Sequence, residues 1–162
     1  MTWQLRRATV EDLDAIMVLE NGVFGTDAWS AENMRAELAS QHTWYLVAER
    51  LSDDGIDGYA GLSAPQGAHD GDIQTIAVAE PARHQGLGRT LIQALVAEAR
   101  KRGASQVFLE VRADNGGAQH LYETLGFVAI AERIGYYQPD NVDAIVMKYE
   151  IPEPETRPAV GS

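Results

Sequence analysis

Ile73-Gln74-Thr75-Ile76-Ala77-Val78-Ala79-Glu80-Pro81-Ala82-Arg83-His84-Gln85-Gly86-Leu87-Gly88-Arg89 is the stretch that decides the fold. Its first part is apolar and rich in β-branched residues, which predicts a strand over Asp72 to Ala79. Pro81 interrupts it. From Leu87 onward, Leu91, Ile92, Leu95, Val96 and Ala99 recur at helical spacing, which predicts a long helix stopped by Gly103. The turn between them has a definite physics. Gly86 and Gly88 carry no Cβ, so a ligand can approach the backbone closely. The first N–H groups of the helix have no internal partner, and the helix dipole is positive there. Together they suit a pyrophosphate, with Arg83 and Arg89 as flanking charges. No Gly-Lys pair exists, so this is not a nucleotide P-loop. Gly86-Leu87-Gly88 is followed by Arg89-Thr90-Leu91, so the third glycine of a dinucleotide fingerprint is missing. Taken alone, the turn also fits a glycine-rich helix start with surface arginines.

Outward from this unit the periodicity alternates. Strands are expected over Leu5 to Ala8, Thr43 to Glu49, Ile56 to Ser63, Gln106 to Val111, Phe127 to Glu132 and Ala144 to Glu150. Helices are expected after Thr9 and Ser30, both N-cap residues, and over Asn115 to Leu125, with Gly126 as its stop. The order β-α-α-β-β-β-α-β-α-β-β implies one α/β (α+β) sheet with helices on its faces.

The 162 residues are enough for about one domain, expected over 1–151. Residues 152–162 hold three of the six prolines and are expected to form a disordered tail. The net charge of −11 argues against sequence-independent binding to nucleic acid or to an anionic membrane. That charge is uneven: Arg83 to Gly103 holds four Arg and one Lys against one Glu, a net of +4, so the remainder carries −15. A basic island in an acidic chain fits a local phosphate ligand. There is no cysteine, which excludes disulfides and thiol nucleophiles. His42, His69, His84 and His120 show no ligand spacing, and no metal is expected. Neither an apolar leader nor a membrane span is apparent, so a cytoplasmic location is expected.

Arg83-x-x-Gly86-x-Gly88 after a strand resembles the acetyl-CoA pyrophosphate loop of the GNAT N-acetyltransferase superfamily. Leu109-Glu110-Val111-Arg112, Asn115 and Leu121-Tyr122-x-x-Leu125-Gly126-Phe127 resemble its later motifs. Trp29-Ser30, Arg133-x-x-Tyr136-Tyr137 and Asp143-Ala144-Ile145-Val146-Met147 are similar to the RimI-type branch, whose members acetylate the N-terminal alanine of a small-subunit ribosomal protein. Two departures are Ala28, where that branch has Pro, and Gly116-Gly117, where it has small alanines. The resemblance implies a mixed, mostly antiparallel twisted sheet of six to seven strands, flanked by about four helices and splayed between its central strands.

It also implies a site. Acetyl-CoA would be the co-substrate. Arg83, His84, Gln85, Gly86, Leu87, Gly88 and Arg89 would hold its pyrophosphate, and the backbone of Ile76, Ala77 and Val78 with Asn115 would hold its pantetheine arm. Glu110 would be the general base, since partial burial in an apolar strand raises a carboxyl toward working pH; the alternative is a solvent-facing strand residue. Tyr122 would be the general acid or a transition-state donor; the alternative is a core aromatic. Tyr136 and Tyr137, on the loop between the last two strands, would bind the acceptor backbone, with Trp29 and Phe24 opposite; the alternatives are a turn with surface aromatics and buried helix-entry aromatics. The acceptor would be a protein N-terminus, with a basic ribosomal protein as partner. A small-molecule amine or a protein lysine is the alternative acceptor, and a non-catalytic acyl-CoA sensor is a third reading.

Overall fold

The computed structural model describes residues 2–153. They run β1 (Trp3–Arg7), α1 (Leu13–Phe24), α2 (Ala31–Ala39), β2 (Thr43–Arg50), β3 (Ile56–Ser63), β4 (Asp70–Val78), α3 (Leu87–Lys101), β5 (Gln106–Arg112), α4 (Gly116–Thr124), β6 (Val128–Tyr137) and β7 (Val142–Glu150). The element order is the one the periodicity predicts. Residues 154–162 of the expected tail lie outside the described residues.

Capping residues set the helix starts. Thr9 and Asp12 form a reciprocal capping box, but the turn they close, Val10–Asp12, is 3-10, and α1 begins at Leu13. Ser30 Oγ accepts from the Asn33 N–H at 3.1 Å and starts α2. Asn115 does the same for α4, accepting from the Ala118 N–H at 3.1 Å.

The seven strands lie in the order β1-β2-β3-β4-β5-β7-β6. Every adjacent pair is antiparallel except β4 with β5. Strand alternation feeds two cores. On one face Tyr45, Val47, Tyr59 and Ala77 meet Leu13 and Ile16 of α1 and Met34 of α2. On the other, Leu46, Ala48, Ala60, Leu62 and Ile73 meet Leu87, Leu91, Ile92 and Leu95 of α3. Each fully buried Leu or Ile contributes about 1.5–3 kcal/mol, which holds helices to both faces.

One pairing positions the site. The parallel ladder of β4 and β5 covers only Asp70 to Asp72 against Gln106 to Phe108. Beyond those residues β4 stays with β3, through Val78 against Gly58, and β5 stays with β7, through Arg112 against Ala144. The sheet therefore opens in its middle.

The last hairpin corrects one expectation. Tyr136 and Tyr137 are not on a loop but at the end of β6, which runs five residues beyond the expected Glu132. Pairing with β7 resumes at Tyr137 against Val142 after a register shift, so the strand survives an irregularity that breaks its alternation.

Candidate active site

The opening between β4 and β5 is a groove of about 1950 Å³. All the residues expected to act in catalysis or binding line it except Gln85, whose side-chain amide donates to the Pro81 carbonyl at 3.1 Å.

The β4 wall offers a free strand edge. The Ala79 N–H donates to the Asp57 carbonyl on the β3 side at 2.7 Å, so the Val78 carbonyl of the same peptide points to the open side. There it accepts from Arg83 Nε at 3.1 Å. By strand alternation the N–H groups of Ile76 and Val78 face that side too. An amide-bearing chain laid in the groove can therefore pair with β4 as an added strand.

The turn after β4 has the features of an anion site. Gly86 is left-handed at φ +83° and stands at the N-cap of α3. Nothing lies within 4 Å of where its Cβ would be, so the space above it belongs to the groove. Gly88 serves packing as well: a Cβ there would sit 3.3 Å from Leu121 Cδ2, so its absence lets α3 lie against α4. Arg89 Nη2 reinforces that contact by donating to Thr124 Oγ1 at 3.0 Å. Gly86→Ala would force a side chain into the left-handed region, at about 1–2 kcal/mol, and put a methyl in the anion space. We expect it to weaken CoA binding about tenfold by calorimetry; unchanged affinity would separate this turn from the ligand.

At the middle of the groove α4 presents Tyr122. Its ring is buried against Phe127, with centroids 6.0 Å apart. No buried side-chain oxygen lacks a partner among the described residues, so the unpaired Tyr122 hydroxyl opens on the groove. Burial pushes this phenol up from its ordinary value, and it stays protonated. Asn115 commits its Oδ1 to the helix cap, which leaves its amide nitrogen to meet a ligand.

Across from Tyr122 the β5 wall carries Glu110. Its carboxylate is partly exposed, at 28% of the side chain, and pairs with the more exposed Arg133 at 3.2 Å. The Tyr136 phenol is pushed up, first by its hydrogen bond to the Glu110 carboxylate. Burial pushes Tyr137 up to about 12. The two tyrosine rings meet edge to face at 5.1 Å. Asp72 lies at the apex of the opening, where burial and then the charges of Asp70 and Glu110 push its carboxyl up.

Three charged residues of the groove lining have no role assigned from sequence. Arg112 reaches Asp27 at 2.6 Å, Asp114 at 3.0 Å and Asp140 at 3.2 Å, and lies 5.4 Å from the Tyr137 ring centre. It thus fastens the segment before α2 to the β6–β7 turn. Arg133 pairs with Glu110, as above. Glu20 is buried beneath Trp29, whose N–H it accepts at 2.8 Å, and burial pushes its carboxyl up. Only Glu20 left a local signal: it continues the apolar stripe of Leu13 and Ile16, where a carboxylate is out of place. Among the described residues no group of His, Asp and Glu could hold a metal ion, and no helix is long and apolar enough to cross a membrane.

A family model described as "Acetyltransferase (GNAT) family" matches residues 11–127. The chain belongs to the GNAT acetyltransferase family. The match takes in β4, the glycine turn, Glu110 and Tyr122, and ends before the β6–β7 hairpin. Relatives extend the similarity across that hairpin. The chain is 34% identical over 149 residues to the N-alpha-acetyltransferase RimI of Mycobacterium tuberculosis, covering 90% of this chain and 91% of that protein. It is also 34% identical over 145 residues to an uncharacterized protein of Mycobacterium leprae, covering 88% of this chain but only 39% of that protein's length. Among solved structures, the ribosomal-protein-S18-alanine N-acetyltransferase of Escherichia coli superposes with a TM-score of 0.84 at 27% identity, covering 98% of this chain and 99% of that one. The described residues therefore form the GNAT fold, with a seven-stranded open sheet and four α-helices among them.

Proposed function

We propose that this GNAT protein moves the acetyl group of acetyl-CoA onto the N-terminal α-amino group of a protein, the alanine of a basic small-subunit ribosomal protein, in the cytoplasm. The observation that carries the reading is the composition of the groove. A free β4 edge and the Gly86 turn fit an extended pyrophosphate-bearing arm, and Glu110, Tyr122 and paired aromatics stand at the other end. The RimI relative and the ribosomal-protein-alanine acetyltransferase support the acceptor assignment.

Acetyl-CoA supplies an activated acetyl thioester when bound. The chain's own groups do the rest. Glu110 rests against a cation, Arg133, so its seat already suits an ammonium group. An exposed pair of this kind is worth about 0–1 kcal/mol, so an incoming α-ammonium displaces the guanidinium at little cost. Glu110, directly or through water, then takes one proton from the ammonium, the neutral nitrogen forms the C–N bond as the thioester carbonyl becomes an oxyanion, and the nitrogen's second proton passes to the sulfur, directly or through water, as the C–S bond breaks and CoA leaves as the thiol. Tyr122 gives a hydrogen bond to the sulfur as the C–S bond breaks. Tyr136 and Tyr137 from one side and Trp29 from the other hold the acceptor backbone.

A panel of peptides beginning with Ala, Ser or Met, with free polyamines and an aminoglycoside, tests this. Peptides beginning with Ala are expected to be acetylated fastest. Acetylation of small amines alone would support the alternative acceptor class, and acetyl-CoA binding with no product from any acceptor would support the sensor reading. The groove is also polarised: Arg83 and Arg89 line it at the glycine turn, whereas away from that turn Asp27, Asp72, Glu110 and Asp140 outnumber Arg112 and Arg133. For a basic peptide, kcat/KM should therefore fall as salt shortens the reach of the acidic end. A rate indifferent to salt would count against a cationic acceptor.

A further inference from the structure

Glu20 is a carboxylate with no part in the chemistry above, yet it is 1% exposed in the middle of a domain. A buried carboxylate is costly unless its oxygens are well bonded. Here they are. One oxygen accepts from the Trp29 backbone N–H at 2.8 Å. The other accepts from the Tyr59 hydroxyl and from Thr75 Oγ1, the latter at 3.4 Å. These donors come from three places: the segment before α2, strand β3 and strand β4. Ala28 is extended, at φ −62° and ψ 139°, so Trp29 lies outside any helix ladder there. Its N–H finds its acceptor in Glu20.

The placement of those donors carries the inference. Trp29 belongs to the α1–α2 wall of the groove. Thr75 directly precedes Ile76, whose backbone lies on the open β4 edge. We infer that Glu20 is a positioning residue for the acceptor, setting the distance between the Trp29 wall and the strand that carries the acetyl donor. It rests on the acceptor reading proposed above. An apolar side chain of the same size would fill the space and satisfy neither Trp29 nor Tyr59. Transfer between two bound groups is sensitive to shifts of about 1 Å, so a loosened wall would be felt at the acceptor and not at the CoA turn.

The test is the division of effects between the two substrates. Glu20→Met keeps the volume and removes both acceptors. It is expected to raise the KM for an Ala-peptide about tenfold while leaving the KM for acetyl-CoA and CoA affinity within about twofold. Glu20→Gln keeps an acceptor oxygen for Trp29 and should restore the peptide KM to within about threefold of the parent. Glu20→Asp retains the charge but withdraws it by one methylene, and gives the same division in weaker form if Glu20→Met fails to fold. A fall in active fraction with both KM values unchanged would overturn the inference in favour of general fold support, as would an equal loss for both substrates. If the parent protein acetylates only small amines, the proposed peptide acceptor fails, and the same division is read with the amine it does use.

Discussion

Glu110→Gln is expected to lower kcat about 100-fold at pH 7, within the range of about 10²–10⁴ that general base catalysis provides. The deficit should shrink as pH rises. A peptide α-amino group has a pKa of about 7.7–8.0, so about a tenth of it is neutral at pH 7 and nearly all at pH 9. The variant, lacking a base, depends on that pre-formed neutral amine, and its rate should climb about eightfold over the interval. The parent protein, removing the proton in the site, should climb less. Gln is isosteric, and the lost pair to Arg133 is an exposed one, so the melting temperature should barely move. A variant whose pH–rate profile runs parallel to the parent would show that Glu110 is not the base.

Tyr122→Phe should slow turnover about as much, with a different pH signature. Phe keeps the ring that packs on Phe127 and removes only the hydroxyl that opens on the groove. Acetyl-CoA affinity should stay within about threefold. A thiol has a pKa of about 8.5, well below that of a phenol raised by burial, so full proton transfer from Tyr122 to the departing sulfur is uphill. Its expected contribution is then a hydrogen bond at the transition state. Because burial raises the phenol above 10, the group stays protonated throughout an ordinary assay range. The deficit should therefore be flat from pH 6 to about pH 9, where that of Glu110→Gln is steep. Loss of acetyl-CoA binding in Tyr122→Phe would mark the hydroxyl as structural.

The geometry of the glycine-turn half of the groove is legible because its signals are local. The strand before Pro81, the left-handed Gly86 and the helical stripe from Leu87 all lie within one short stretch, and each follows from backbone chemistry. The half around Glu110 and Tyr137 is assembled from distant pieces. Arg112 and Asp27 are separated by 85 positions, and no local pattern announces their bond. Sequence places Tyr136 and Tyr137 on a loop, whereas pairing with β7 carries β6 through Tyr137. The opening of the sheet was implied by family resemblance only. Periodicity reports which residues face a core, not where two neighbouring strands part company.

Arg112 joins Asp27 of one groove wall to Asp140 of the other. A single guanidinium therefore works as the rivet of a pair of callipers, setting the jaw width before any peptide arrives. The conformational freedom of the two walls is surrendered when the chain folds, not when the acceptor binds. Under the proposed function, selection among N-terminal residues becomes a matter of gauge: a residue that matches the preset gap is expected to be held at once, and a bulkier one to break an ion pair on entry.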